Sequence, residues 1–169
     1  MAKFAYQVIN VMIQRIQSVW LFLASATVFA LFLFPYLQYA DLGGVGKALK
    51  VTGAYHGLEG QAVREEFFVL QTVTTVLLGI FPLYIIFKFR NRKQQIQLIL
   101  LEIVLLLLFG AWLYVAANSA LTEARQVLSA NNIGVGFLLL PISIIFLFMA
   151  MGGIRKDEKL VKSADRLRS

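Results

Sequence analysis

Glu102 is the one ionisable side chain set well inside an apolar run, Gln97-Leu98-Ile99-Leu100-Leu101-Glu102-Ile103-Val104-Leu105. It stands nine residues past Lys93, about 13 Å along a helix and not far from the middle of a hydrocarbon core about 30 Å thick. A carboxylate facing lipid there costs about 2.5 to 3.5 kcal/mol on insertion scales, so the side chain is expected to face a bundle interior. Ser25, Thr27 and Ser143 lie at similar depth in other apolar stretches, as does the Leu78 carbonyl, freed because Pro82 has no N–H. A neutral Glu102 could donate to any of them and tie helices together by about 0.6 to 2 kcal/mol. Three readings stand: structural glue or partner contact, a proton or cation relay, and snorkelling toward the interface. Small proton-coupled exporters also use one intramembrane glutamate, but here it falls on the third apolar stretch with no recognisable aromatic cage around it.

Other reactive constellations are not legible. The chain has no cysteine, which excludes disulfide exchange, thiolate metal sites and thiol nucleophiles. Its single histidine, His56, sits among small and polar residues. One such side chain cannot assemble a haem or zinc site, which takes two to four ligands, and it reads as a solvated loop residue. Neither a phosphate-binding glycine loop nor a paired carboxylate nor a Ser/His/Asp arrangement is recognisable, so no enzyme activity, metal or cofactor is expected.

The elements that must position Glu102 are apolar stretches near residues 16 to 35, 67 to 87, 95 to 117 and 133 to 153. A mean hydropathy of +0.75 with 59% hydrophobic residues leaves no realistic soluble alternative. The expected fold is all-α: one domain, residues 1 to 169, forming a four-helix transmembrane bundle with a basic cytoplasmic helix at 154 to 169. Pro35 is expected to stop the first stretch, and Arg64-Glu65-Glu66 to precede the second as acids at a helix N-terminus. Between them runs a glycine-rich loop of about thirty residues, where Ala48 to Thr52 and Ala54-Tyr55 have strand character around Gly53. A small β-ribbon on the outer face is expected there.

Charge orients the bundle. Of sixteen basic residues, twelve (Lys3, Arg15, Lys88, Arg90, Arg92, Lys93 and six from Arg155 to Arg168) gather at one end. The other end holds Lys47, Lys50, Arg64 and Arg125 against Asp41, Glu59, Glu65, Glu66 and Glu123. The positive-inside rule places both termini in the cytoplasm, and a net charge of +7 is then better explained by topology than by nucleic acid. The first stretch reads as a retained signal anchor. Met12 opens Met12-Ile13-Gln14-Arg15, so the first eleven residues read as an extension, and Lys3 to Met12 as a short amphipathic helix on the membrane surface. The tail from Ile154, with Leu160, Val161, Ala164 and Leu167 on one face, reads as a stop-transfer flank, a lipid anchor or a docking site.

Met12-Ile13-Gln14-Arg15-Ile16-Gln17-Ser18-Val19-Trp20, together with Ile154-Arg155-Lys156-Asp157-Glu158-Lys159-Leu160-Val161-Lys162 and the run to Arg168, resembles the Bacteroidota family catalogued as domain of unknown function 4293. The resemblance implies a four-helix inner-membrane protein with no established activity, and it brings no catalytic residues. It also suggests that Arg15, Arg155, Lys156, Lys159, Lys162 and Arg166 form one cytoplasmic surface for a partner or for lipid. The expected role is an inner-membrane accessory or scaffold protein contacting lipid and a larger complex, with homo-oligomers open and no nucleic acid. The alternative is a proton-linked transporter or channel subunit using Glu102.

Overall fold

The computed structural model describes residues 2–58, 61–89 and 91–166, with side chains described at 16–57, 63–89, 91–159 and 163. Among them the element order is α1 (Ala2–Ala30), β1 (Leu37–Ala40), β2 (Gly46–Lys50), β3 (Gly53–Leu58), β4 (Gln61–Phe67), α2 (Val69–Ile86), α3 (Arg92–Glu123) and α4 (Val135–Arg166). The expectation of an all-α bundle of four spans is corrected on both counts. A four-stranded antiparallel sheet, in the order β1-β2-β3-β4, stands between α1 and α2. Among the described residues three helices, Val69–Ile86, Arg92–Glu123 and the Val135–Lys159 part of α4, are long and apolar enough to cross a membrane, whereas the described side chains of α1 give the shorter apolar stretch Ile16–Ala30.

Helix α1 ends early because the segment after it turns tightly into the sheet. Leu31, Phe32 and Leu33 donate to Val28, Phe29 and Ala30 in tight turns, and Pro35 has no N–H to continue the ladder. Tyr36 is then already in the sheet region, its N–H donating to the Leu49 carbonyl at 2.9 Å. A short ribbon around Gly53 understates what the loop builds, because β1 and β4 flank β2 and β3 on either side. Arg64-Glu65-Glu66 belongs to β4 and not to a helix start. Arg64 stands opposite Tyr55 in the register, its Nε donating to the Tyr55 hydroxyl at 3.0 Å and its guanidinium lying 5.3 Å from the ring centroid. The described β4 residues from Val63 to Phe67 are exposed, and charges of this kind protect a sheet edge from pairing with another chain.

The sheet is tied to one end of the helices. Leu37 bridges Ile133, the Gln38 N–H donates to the Asn132 carbonyl at 2.8 Å, and the Thr72 hydroxyl reaches the Val51 carbonyl at 3.0 Å. Gly134 lies so close to Pro35 that any Cβ there would collide with the Pro35 carbonyl. At the opposite end α4 runs without a break through Gly152 and Gly153 to Arg166, so the expected separate tail helix is the continuation of α4. The Lys3 to Met12 side chains and those of Leu160, Val161, Ala164 and Leu167 lie outside the described residues.

Helix α1 packs between α2 and α4, and α3 closes the ring on its far side. Leu21, Val28, Ile85, Ile99, Leu106, Leu147 and Ile154 fill the centre, all buried. Outward, Leu77, Ile80, Leu107, Leu108, Val115, Leu138, Ile145 and Phe148 are exposed. Helices apolar on both the inward and the outward face are what a hydrocarbon solvent selects.

Candidate functional site

The inward stripe of α3 reads Gln95, Ile99, Glu102, Ile103, Leu106, Phe109 and Leu113, all buried at helical spacing. Asn91 starts this helix, its side chain accepting from the Gln94 N–H at 3.2 Å. From that cap the stripe enters a polar layer built by all four helices at the basic end. Arg92 of α3 donates to Asp157 of α4 at 2.8 Å, the Asp157 side chain being only 6% exposed. Gln95 donates to the Ile85 carbonyl of α2 at 3.3 Å. Gln17 of α1 is buried against Gly153 of α4, where an added Cβ would lie 3.0 Å from the Gln17 Cγ. Two atoms of this layer, Gln17 Nε2 and Asp157 Oδ1, are buried without a hydrogen-bond partner.

Glu102 lies about 10 Å deeper along α3. It is fully buried, and neither carboxyl oxygen has a hydrogen-bond partner. The hydroxyls expected to receive it are engaged elsewhere. Ser25 donates to the Gly79 carbonyl at 2.6 Å and joins α1 to α2, with Phe29 packed onto Gly79 where a Cβ would stand 2.7 Å from the ring. Ser143 donates to the Ala24 carbonyl at 3.1 Å and joins α4 to α1. Thr27 bonds within its own helix, to Leu23 and Ala24. Ser25 and Ser143 therefore cross between helices, as such hydroxyls do in membranes, but not to Glu102.

A third polar level lies toward the sheet. Thr75 is buried and donates to the Gln71 carbonyl at 2.7 Å, and Gln71 is itself buried with Oε1 unpartnered. Beside Gln71 stands the Tyr36 hydroxyl, also unpartnered, its pKa pushed up to about 12 by burial, which the neighbouring Gln71 side chain counteracts only in part. Tyr36 lines a cleft of about 440 Å³ between the sheet and α3, together with Tyr39, Lys47, Glu65, Glu66 and Glu123. Within it Lys47 donates to Glu65 at 2.9 Å. That bond holds the Glu65 carboxyl below the usual range and the Lys47 ammonium above its own.

Sequence reasoning singles out Glu102, Ser25, Thr27 and Ser143, and misses Gln17, Gln71, Arg92, Asp157 and Tyr36. Gln95 reads in sequence as a polar entrance, and its seven-residue spacing from Glu102 is the available signal that both share one face. His56 is half-buried in β3, with Nδ1 3.9 Å from Glu65. Arg155, Lys156 and Lys159 are exposed toward the C-terminal end of α4, away from Glu102. The side chains of Arg15, Lys162 and Arg166 lie outside the described residues.

Residues 13–167 match the model of a protein family described as Domain of unknown function (DUF4293). No curated protein matches the chain.

Proposed function

The chain belongs to the DUF4293 family, and we propose that it is an accessory or scaffold protein of the bacterial inner membrane, working by contact with a larger membrane complex. The supporting observation is the way α4 presents its basic residues. Arg155, Lys156 and Lys159 are exposed, while Asp157 among them is buried and paired with Arg92 of α3. The extension is thus held in register with the bundle, a rigid basic surface and not a loose flank. The positive-inside rule puts this end, and both chain termini with it, in the cytoplasm. An acidic segment of a neighbouring complex is the partner such a surface fits.

Gentle detergent extraction followed by mass spectrometry of copurifying chains tests this. A stoichiometric partner is expected with the native chain and lost with Arg155→Glu, Lys156→Glu and Lys159→Glu combined. A partner retained at full stoichiometry by that variant removes the basic surface from the account.

A second reading, proton-linked transport, is favoured by one specific feature: a fully buried Glu102 with both oxygens unpartnered. Intramembrane acids of this kind mark proton relays and ion pathways. A proton-dependent flux in reconstituted vesicles that survives Glu102→Gln would end that reading.

A further inference from the structure

We infer that the buried polar side chains form one proton-exchange string through the bundle core, with Glu102 as its central station. Its two ends are the Gln17–Gln95–Asp157 layer and the Gln71–Tyr36 pair. The inference rests on the transport reading for its central residue, but it names the route and both mouths, and it holds even if the protonation drives no cargo.

Gln95 meets the Ile85 carbonyl, which fixes α2 and α3 side by side at the basic end. From that level Glu102 is two helical turns along α3, about 10 Å, and Gln71 is four turns along α2, about 21 Å. Glu102 therefore sits midway between the two layers. The buried polar side chains of the described core are Gln17, Ser25, Gln71, Thr75, Gln95, Glu102, Ser143 and Asp157. They fall on the basic layer, at the level of Glu102, on the sheet-side layer, or between these last two.

Apart from His56 Nδ1 in the sheet, the unpartnered buried atoms of the described residues follow the same distribution: Gln17 Nε2 and Asp157 Oδ1 at one end, Glu102 Oε1 and Oε2 at the centre, and Gln71 Oε1 and the Tyr36 hydroxyl at the other end. Such atoms are the places where an entering water finds partners. Ser25, Ser143 and Thr75 donate to backbone carbonyls, and each hydroxyl oxygen retains the capacity to accept. On the basic side, buried Leu21, one turn past Gln17 on α1, and Ile99, one turn past Gln95 on α3, separate that layer from Glu102. At the far end the buried Tyr36 lies in the wall of the cleft that Glu65, Glu66 and Glu123 also line.

The chemistry is a single proton exchanged between water and the Glu102 carboxylate, with no other group changing charge. Among the described residues the charged groups facing this interior are Arg92 from α3 and Asp157 from α4, already paired with each other. The described side chains of α1 include no ionisable group, and Tyr84 of α2 is exposed.

The test uses the full chain in vesicles of known orientation, with the carboxyl C=O infrared band followed after a pH jump on one face at a time. The Glu102 component is identified by its loss in Glu102→Gln and its displacement in Glu102→Asp. The band is expected to respond to jumps on either face. Gln71→Leu should slow only the sheet-side response and Gln95→Leu only the basic-side response, each by about tenfold, as loss of one hydrogen-bonded step predicts. A band silent to both faces, a band responding to one face only, or responses unchanged in both leucine variants would each overturn the string. None of these outcomes depends on the flux measurement that decides the transport reading.

Discussion

Arg92 and Asp157 make an unequal pair, because the arginine side chain is 31% exposed and the aspartate 6%. Removing one partner is therefore predicted to cost more than removing the other. Arg92→Leu strands a carboxylate that water cannot reach and should destabilise the bundle by about 3 kcal/mol, near the lower end for a broken buried pair. Asp157→Leu leaves a guanidinium that turns to solvent, with a loss of about 1 kcal/mol or less. The double variant should recover most of the Arg92→Leu loss. Thermal unfolding in one detergent checks all three, and equal losses for the two single variants would contradict the buried pairing. Glu102 is legible in the sequence because a lone acid in an unbroken apolar run has no other explanation. Asp157 is not, since it lies in a run of mixed charges, Arg155 to Lys159, where polarity is ordinary. Its burial and its tertiary contact with Arg92 mark it out within that run.

At the scale of elements, the sheet is held by close backbone approach more than by side chains. Gly134 donates its N–H to the Tyr36 carbonyl at 3.0 Å and abuts the Pro35 carbonyl. Gly134→Val must push these segments apart. Amide exchange at Leu37 and Gln38 should accelerate while protection in α3 and α4 is kept, since the helices bury their own contacts. Within the sheet, the Lys47–Glu65 bond gives a pH dependence of known sign. Glu65 is depressed, so its contribution is present above the ordinary carboxylate range and is lost as pH falls through the folded value. Lys47 is raised, so its contribution is present below the ordinary lysine range and is lost as pH rises through the folded value. Protection of β2 to β4 should be greatest between those limits, with the acid limb absent in Glu65→Gln. The strands are partly legible, around Gly53, because Ala48 to Tyr55 alternates suitably. Strand β4 is hidden by Arg64-Glu65-Glu66, which reads equally well as the acidic start of a helix. The decision is made by Tyr55 and Lys47, cross-strand partners that no local pattern reveals.

For the whole molecule, the sheet and the basic extension occupy opposite ends of α2, α3 and α4, and the proposed orientation turns the positive end to the cytoplasm. Helix α3 is about 48 Å long, well beyond a hydrocarbon core of about 30 Å, so in the proposed bilayer setting its outer turns would stand clear of the lipid beside the sheet. The cleft that holds Glu65 and Glu123 is placed at that height. Because the chain contains no cysteine, two single substitutions report the arrangement without a background. Gly57→Cys lies on an exposed strand position with open space around it, and Lys156→Cys on the exposed face of α4. A membrane-impermeant maleimide applied to spheroplasts should label Gly57→Cys and spare Lys156→Cys, with the pattern reversed in inverted inner-membrane vesicles. Labelling of both sites from one face would mean that no bilayer lies between the sheet and the basic end. The cytoplasmic docking surface and the two-mouthed string would then both lose their geometry, since each needs the two ends of the bundle to meet different solutions.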